Sequence, residues 1–336
     1  MWLFAGSSPH RPPLTTIRFD SIFSQSSQSI PSRLSFRTGC LAHWGGGVLG
    51  AAQGSFSPPR RQFAGLSPAY CYCIMATRGI GDAWLPSSLE AARITSLPST
   101  AYYLPNFISE EEERLILDRI AAAPRPRWKQ LTHRRLQTWP SDLVQNKLLD
   151  APLPSWLESP VVSRLLSLPL SDDGQGNNVR HIFAESPHQR PNHVLINEYP
   201  PGIGIMPHKL SIMAKDGAAY WPVVCTVSLG ASLCLNLYRS KEDGALDPEP
   251  AWRIIQEPRS LLITTDTLYT DYLHGISDTK EDLDLSADTI VNWSLLRDAE
   301  AFASGRNPRQ TRTSLTYRDV LKVSKVGAKL GLFNKR

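Results

Sequence analysis

Two histidines, one aspartate and a downstream pair of arginines are the side chains of this sequence best suited to chemistry: His208, Asp216, His274, Arg312 and Arg318. Two imidazoles and one carboxylate occupy one face of an octahedral metal and leave the other face open, as in non-haem iron(II) oxygenases. A guanidinium grips a carboxylate through two parallel hydrogen bonds, so the arginines suit an acidic co-substrate. If the five side chains converge, the sequence predicts oxidation at iron(II). If they do not, it predicts only a β-rich domain.

The spacing of the polar residues supports a shared site. Arg312 and Arg318 are six residues apart in a predicted strand, so both lie on the same face of it. Such a face suits an anion, although a solvent-exposed edge strand would show the same pattern. Asn197 and Tyr199 also share a strand face, and an amide with a phenol can hydrogen-bond a keto acid.

The elements that must position these residues are short strands. From about residue 192, β-branched and aromatic runs alternate with Pro, Gly, Asp and Asn, which predicts eight strands. They span residues 194–199, 223–230, 232–238, 252–258, 260–266, 267–276, 289–296 and 311–320. Eight short strands predict a sandwich or jelly roll.

Helices are predicted upstream of the strands. Ser109 followed by Glu110, Glu111 and Glu112 is a capping-box pattern, and the helix predicted over residues 100–123 ends at Pro124. Shorter helices interrupted by prolines are predicted over residues 143–170. The fold class is therefore mainly β with flanking helices (α+β), and the helices cover one face of the β core.

The first 74 residues differ in composition from the rest of the 336-residue chain. They contain six arginines, no lysine and a single acid, and they supply the whole formal charge of +5. This composition is typical of an organelle transit peptide. The alternative is that Met75 is the true start of the protein, and we favour that interpretation because the segment is long and has the Pro and Gly spacing of a chain that never packs. We expect residues 75–97 to form a linker, 98–322 the folded domain and 323–336 a basic tail, either solvated or in contact with phosphates.

Cysteine usage and hydropathy limit the environment of the protein. Five cysteines without framework spacing favour a reducing compartment. No apolar run approaches the length of a membrane-spanning helix, so no membrane partner is expected.

Six segments in order resemble the AlkB-like 2-oxoglutarate/iron(II)-dependent dioxygenases, and within that family the branch of the sixth eukaryotic AlkB homologue. They are LINEY (195–199), GIMPH (204–208), DGAAYWP (216–222), TVSLG (226–230), LHGI (273–276) and RTSLTYR (312–318). The resemblance covers residues 98–322. It implies a double-stranded β-helix core and oxidative demethylation, usually of N-alkylated nucleic acid, with 2-oxoglutarate and O2 as co-substrates.

The resemblance also implies roles for individual residues. The iron(II) ligands that it implies are His208, Asp216 and His274. Arg312 would pair with the distal carboxylate of 2-oxoglutarate, assisted by Tyr199. Asn197 and Arg318 would contact the co-substrate nearer the metal.

One departure from the family pattern falls inside the ligand set. The family places a single residue between the first histidine and the aspartate, whereas seven residues, 209–215, separate His208 from Asp216. The insert would loop out, or displace Asp216, or reflect an error in splice prediction. Displacement by even about 1 Å is damaging at such a site.

Substrate contacts are predicted on two segments. Residues 131–140 combine Arg134 and Arg135 with Trp139, as a nucleic-acid lid would, although an ordinary surface hairpin has the same composition. Tyr220 would stack an extruded base or fill the core.

Two further functional interpretations remain open. They are a dioxygenase acting on a protein or small molecule, and an inactive binding module. The expected location is the nucleus or cytoplasm, or the mitochondrion if residues 1–74 are a transit peptide. The oligomeric state is not predicted.

Overall fold

A computed structural model describes residues 82–97, 100–172, 180–209, 219–239 and 247–325. All of them belong to one compact unit, Gly65–Arg336. Asp216 and the predicted leader, residues 1–74, lie outside the described residues. No helix in these ranges is long and apolar enough to cross a membrane.

β-strands are the main regular secondary structure of the described chain. The strands, numbered in chain order, are β1 (Ala101–Leu104), β2 (Lys129–Gln130), β3 (Arg135–Trp139), β4 (Leu148–Leu149), β5 (His193–Tyr199), β6 (Ile205–Lys209), β7 (Val223–Leu229), β8 (Leu233–Arg239), β9 (Trp252–Gln256), β10 (Leu261–Thr265), β11 (Tyr272–Ile276), β12 (Glu281–Asp282), β13 (Asn307–Pro308), β14 (Arg312–Arg318) and β15 (Val323–Ser324).

Two antiparallel sheets form the body of the domain. The larger sheet has the order β1-β10-β7-β14-β5-β3-β2, and the smaller has the order β6-β11-β8-β9. Separate pairs are formed by β12 with β13 and, in parallel, by β4 with β15. Two facing sheets with interleaved strand order are the architecture of a jelly roll, as predicted.

Helices are short and few. They are α1 (Glu110–Ala121), α2 (Ser155–Leu157), α3 (Ser163–Ser167) and α4 (Asp266–Thr270), with an irregular helical turn at Glu158–Val162 and 3-10 turns at Glu90–Ala92, Arg125–Arg127, Trp293–Leu295 and Ala299–Phe302. The predicted capping box of α1 is confirmed, because Ser109 and Glu112 exchange side-chain to backbone hydrogen bonds of 3.2 and 2.7 Å.

The larger sheet buries both of its faces. One face packs on α1, α2 and α3 through residues such as Ile196, Leu315 and Tyr317. The other faces the smaller sheet, and there Tyr103 and Tyr199 share a cluster with apolar residues of β8, β9 and β11. Side chains alternate along a strand, so Arg312 and Arg318 point to the side opposite Leu315 and Tyr317, between the two sheets.

Three predicted elements were wrong. Residues 101–104 form β1, so the first helix begins only at Glu110. Residues 266–270, predicted as strand, form α4 ahead of β11. Residues 289–296 form no strand, because buried Asn292 bonds the backbone of Ile255 at 3.0 and 2.8 Å and thereby shields the edge of β9.

The predicted domain limits were too narrow. Residues 82–97 belong to the fold rather than to a linker, because Leu89, Ile94 and Leu97 are buried in the hydrophobic clusters. At the other end, Val323–Ser324 forms β15, so the first residues of the expected tail also belong to the domain.

Candidate functional site

The two predicted histidine ligands face each other across β6 and β11. His208 lies directly opposite His274 in the antiparallel ladder, and the two ring centroids are 4.1 Å apart. The register shifts immediately after this pair, before Ile276. A local irregularity of this kind re-aims side chains, and it is common next to active sites.

The surroundings of both imidazoles favour the neutral form, which is the form that binds a metal. Burial lowers the pKa of His208, and burial together with the nearby His208 lowers the pKa of His274 well below its usual value. His208 Nδ1 lies 2.9 Å from the carbonyl oxygen of Met206. A carbonyl only accepts, so Nδ1 holds the proton and Nε2 is left as an electron-pair donor.

The histidine pair supplies two of the three predicted ligands. Asp216 lies outside the described residues, and within the described ranges no group of three His, Cys, Asp or Glu side chains converges. His274 Nδ1 is inaccessible and has no hydrogen-bond partner within those ranges. Two adjacent neutral imidazoles with unused nitrogens fit a divalent first-row metal.

Arg312 is a buried cation at the start of β14. It is 3% exposed; its Nε donates to Ser228 Oγ at 2.8 Å and its Nη2 donates to Gln256 Oε1. The Tyr199 ring lies 5.8 Å from the guanidinium carbon. Burial lowers the pKa of Arg312 to about 10. No carboxylate in the described part of the chain pairs with it, and a buried charge without a counter-ion is costly, so this position suits an anionic ligand.

Arg318 occupies the other end of the same strand face. Its guanidinium carbon is 4.8 Å from the Tyr220 ring centroid, and its Nε is buried without a hydrogen-bond partner among the described residues. Burial lowers its pKa. Its positive charge also lowers the pKa of His208 and of His274, which places Arg318 near the histidine pair.

Asn197 and Tyr199 complete the predicted co-substrate contacts. In the ladder of β5 with β14, Asn197 lies opposite Ser314 and Tyr199 opposite Arg312. Both are 6% exposed. The structure therefore brings Asn197, Tyr199 and Arg312 onto one neighbouring patch of the sheet interior.

The four predicted substrate residues divide into two groups. Arg134 and Tyr220 reach the interior, where Tyr220 lies 5.9 Å from the His193 ring. Arg135 and Trp139 lie on the opposite face of β3, away from the sheet interior, and their contact with nucleic acid stays a prediction.

Arg135 and Trp139 contact neighbouring side chains on that outer face. Arg135 forms two hydrogen bonds with Glu198, at 2.7 and 2.9 Å, and lies 4.0 Å from the Trp128 ring. Trp139 packs edge-on against Trp156 at 5.7 Å. Alternation along β3 sends both side chains away from the sheet interior.

Sequence analysis missed three residues that contribute to the candidate site. Ser228 and Gln256 hold Arg312, and buried His193 lies opposite Arg318 in the ladder. The only available signal was a polar residue within an otherwise apolar strand run, as in VVCTVSL and WRIIQ. That signal does not say which buried charge such a residue serves.

Comparison with known proteins identifies the family. No family model matches the sequence. The "Probable RNA/DNA demethylase ALKBH6" of Danio rerio is 35% identical over 249 residues, which span 72% of this chain and 95% of the relative. The chain belongs to the AlkB-like 2-oxoglutarate/iron(II)-dependent dioxygenases. This AlkB-like chain is related to ALKBH6, and its cofactors are iron(II) and 2-oxoglutarate.

Other similarities are more distant. The "tRNA (carboxymethyluridine(34)-5-O)-methyltransferase alkbh8" of Xenopus tropicalis is 27% identical over 230 residues, 67% of this chain and 32% of that protein. A solved structure described as OsALKBH1 is 17% identical and covers 66% of this chain and 99% of its own, with a TM-score of 0.41.

Proposed function

We propose that this AlkB-like chain removes N-methyl groups from nucleic acid by oxidation, with 2-oxoglutarate and O2 as co-substrates. The observation that carries the proposal is the joint placement of the His208–His274 pair and the buried Arg312 between the two sheets. The name of the Danio rerio relative, which is 35% identical, supports nucleic acid as the substrate class.

The residues of the chain divide the work of binding. His208 and His274, with Asp216 as third ligand, would hold iron(II). Arg312 would bind the distal carboxylate of 2-oxoglutarate, because Ser228 and Gln256 fix its guanidinium in place before the ligand arrives.

In the proposed reaction, the two atoms of O2 are transferred to two different products. Iron(II) held by His208, Asp216 and His274 would supply the redox chemistry by which O2 reacts with 2-oxoglutarate. One oxygen atom enters the succinate formed as CO2 leaves, and the other is inserted into a C–H bond of the N-methyl group. The resulting N-hydroxymethyl group releases formaldehyde and leaves N–H.

The protein's own contribution is orientation and exclusion of water. The apolar cluster around Tyr199, Leu235 and Ile276 forms an apolar interior between the sheets beside the proposed site. Such an environment strengthens the pairing of Arg312 with a carboxylate. Tyr220, beside Arg318, would offer an aromatic face to an extruded methylated base.

The test is product formation by the purified chain with iron(II), 2-oxoglutarate and methylated RNA or DNA oligonucleotides. We expect succinate and formaldehyde in equal amounts, and loss of both in Arg312→Ala. Arg135→Ala is the matched control for 2-oxoglutarate binding, because Arg135 lies on the opposite sheet face, and it should bind the co-substrate like wild type. Undiminished succinate formation in Arg312→Ala would overturn the co-substrate assignment.

Two alternatives are distinguished by the same preparation. Succinate formation without demethylation of any oligonucleotide would favour a protein or small-molecule substrate. Absence of iron binding would favour an inactive binding module, which the insert between His208 and Asp216 keeps open. Nucleic-acid binding that weakens steeply with salt supports the leading proposal, because phosphate contacts release counterions.

The proposed location rests on composition and on the proposed substrate class. We propose the nucleus or the cytoplasm, in agreement with cysteine usage that favours a reducing compartment. A mitochondrial location would require residues 1–74 to act as a transit peptide.

A further inference from the structure

The turn of the β2–β3 hairpin sends two neighbouring arginines in opposite directions. The turn is closed by a backbone hydrogen bond of 2.8 Å from Leu131 to Arg134, and the Gln130 amide bonds the carbonyl groups of both residues. These bonds fix the backbone from which the Arg134 and Arg135 side chains depart. Arg135 then pairs with Glu198 on the outer face of the sheet, while Arg134 turns inward.

Arg134 reaches the two co-substrate residues of β5. Its Nε donates to Asn197 Oδ1 at 3.4 Å, at the long end of the hydrogen-bond range. Its guanidinium carbon lies 5.8 Å from the Tyr199 ring centroid, the same distance as that of Arg312. Tyr199 is therefore flanked by two guanidinium groups, one from β14 and one from the hairpin turn.

The terminal nitrogens of Arg134 are available to a ligand. Within the described ranges, neither Nη atom forms a hydrogen bond, and no carboxylate forms an ion pair with this side chain. Arg135 is the opposite case, because its Nε and Nη2 are both bonded to Glu198. An unused guanidinium edge beside a buried amide and phenol is suited to a carboxylate.

We propose that Arg134 is a positioning residue for 2-oxoglutarate, and that it links the hairpin to the co-substrate pocket through Asn197 and Tyr199. Arg312 holds one end of the co-substrate, and Arg134 acts at the Asn197 end. The inference rests on the proposed 2-oxoglutarate chemistry. It reassigns Arg134 from the substrate side of the site to the co-substrate side.

The position of Arg134 explains why its role differs from that of a general phosphate contact. A phosphate-binding arginine usually lies on an open surface, where its charge meets the nucleic-acid backbone. Arg134 is half-buried and directed at the sheet interior, and the positive charges of Arg312 and Arg134 both act on the Tyr199 phenol.

The direct test is calorimetric titration of 2-oxoglutarate into the full chain loaded with Mn²⁺ in place of iron(II), without substrate. We expect Arg134→Ala to raise the Kd for 2-oxoglutarate about tenfold or more, and Arg134→Lys to recover part of the loss by retaining the charge. Arg135→Ala should stay within about twofold of wild type, since its side chain is engaged on the other face.

A second readout separates positioning from substrate contact. In steady-state assays, Arg134→Ala should raise KM for 2-oxoglutarate more than KM for the oligonucleotide. An unchanged Kd for 2-oxoglutarate with a raised KM for the oligonucleotide would overturn the inference and leave the proposed function intact. If wild type itself binds no 2-oxoglutarate, the proposed function falls, and the inference falls with it.

Discussion

Single residues in this site are prepared for ligands by their burial. Burial favours the neutral form of His208 and His274, in which a ring nitrogen can donate an electron pair to a metal. Arg312 is held in its charged form by hydrogen bonds to Ser228 and Gln256. Each state is unfavourable in isolation, because burial penalises charge and unused polar atoms. Binding of a metal and an anion removes that penalty, so the same side chains that weaken the apoprotein should strengthen ligand binding.

Substitution of Arg312 by lysine tests geometry apart from charge. Arg312→Lys keeps a positive charge but loses the planar fork that bonds a carboxylate twice. We expect 2-oxoglutarate binding to weaken by about 1.5–3 kcal/mol, the usual contribution of one hydrogen bond to a charged group. Calorimetry on the metal-loaded protein measures this loss, and wild-type affinity in the lysine variant would show that charge alone is sufficient.

His193 gives the apoprotein a pH-dependent stability. Its ring is 3% exposed, and burial lowers its pKa from 6.5 to about 4 in the folded state. Between these values the unfolded chain binds a proton that the folded chain does not. Stability is therefore full above pH 6.5 and is lost as pH falls toward 4, by about 3 kcal/mol for this residue.

Replacement of the imidazole isolates that contribution. His193→Gln can still donate a hydrogen bond toward the carbonyl group of Ser141, which lies 3.2 Å from His193 Nε2. We expect the free energy of unfolding of the variant to fall less steeply than that of wild type between pH 6.5 and pH 4. Parallel curves in urea titrations across this range would rule out His193 as the titrating group.

At the scale of elements, the histidine pair depends on the close approach of β6 to β11. A Cβ atom at Gly204 would lie 2.0 Å from the carbonyl oxygen of Ile276, and the Gly204 amide donates to Asp278 at 2.6 Å. At Gly275 the nearest atom to an added Cβ is a side-chain carbon of Pro207, at 3.0 Å. Gly204, the residue immediately before β6, therefore cannot be replaced by a residue with a side chain unless the backbone shifts.

Gly204→Ala should separate β6 from β11. We expect a loss of about 3 kcal/mol or more in stability, and weaker metal binding because His208 moves away from His274. Gly275→Ala should have the smaller effect, because its nearest contacts, at 3.0 to 3.2 Å, require a much smaller shift than the 2.0 Å contact at Gly204. Equal stability and Mn²⁺ affinity for Gly204→Ala and wild type would show that the strand spacing is not critical.

Helix α1 stabilises the larger sheet without contributing to the site. Ser109→Ala removes the side-chain half of the capping box and should cost about 1 kcal/mol. For a domain of this size the expected fall in Tm is about 2–4 °C. Ser167→Ala, which removes an exposed hydrogen bond to Arg164, is the control and should leave Tm nearly unchanged. A change in 2-oxoglutarate affinity in Ser109→Ala would contradict the separation of α1 from the site.

The strands were predictable where side-chain types clearly alternated every second residue. Arg312 and Arg318 were assigned to one face by spacing alone, and β5, β7, β8, β9 and β10 follow the predicted runs to within one or two residues. Residues 289–296 look like a strand, but the Asn292 amide bonds Ile255 and holds the segment as an irregular cover of β9. A local sequence pattern cannot predict a hydrogen bond between residues that are 37 positions apart.

The sequence pattern also could not predict that the side chains of Arg134 and Arg135 point in opposite directions. Both are cations in one short turn, and only the register of β3 against β5 decides which of them faces the interior. That register places Arg135 opposite Glu198 and Leu136 opposite Asn197. It depends on packing of the whole larger sheet, because shifting a strand by one residue exchanges its two faces.

At the scale of the whole molecule, the sheets bring together residues that are far apart in the chain. His208 and His274 are joined by the pairing of β6 with β11, and Arg312 is brought in by β14 of the other sheet. The seven residues between His208 and Asp216 lie next to this assembly in sequence. Their length determines whether Asp216 reaches the same metal as the histidines.

Metal titration of the full chain tests that convergence most directly. We predict that wild type binds one iron(II) per chain under anaerobic conditions in the presence of 2-oxoglutarate. His208→Ala, Asp216→Ala and His274→Ala should each weaken binding about a hundredfold or more, while His181→Ala, outside the proposed site, should not. Wild-type affinity in Asp216→Ala, or no iron binding by the intact chain, would contradict the account.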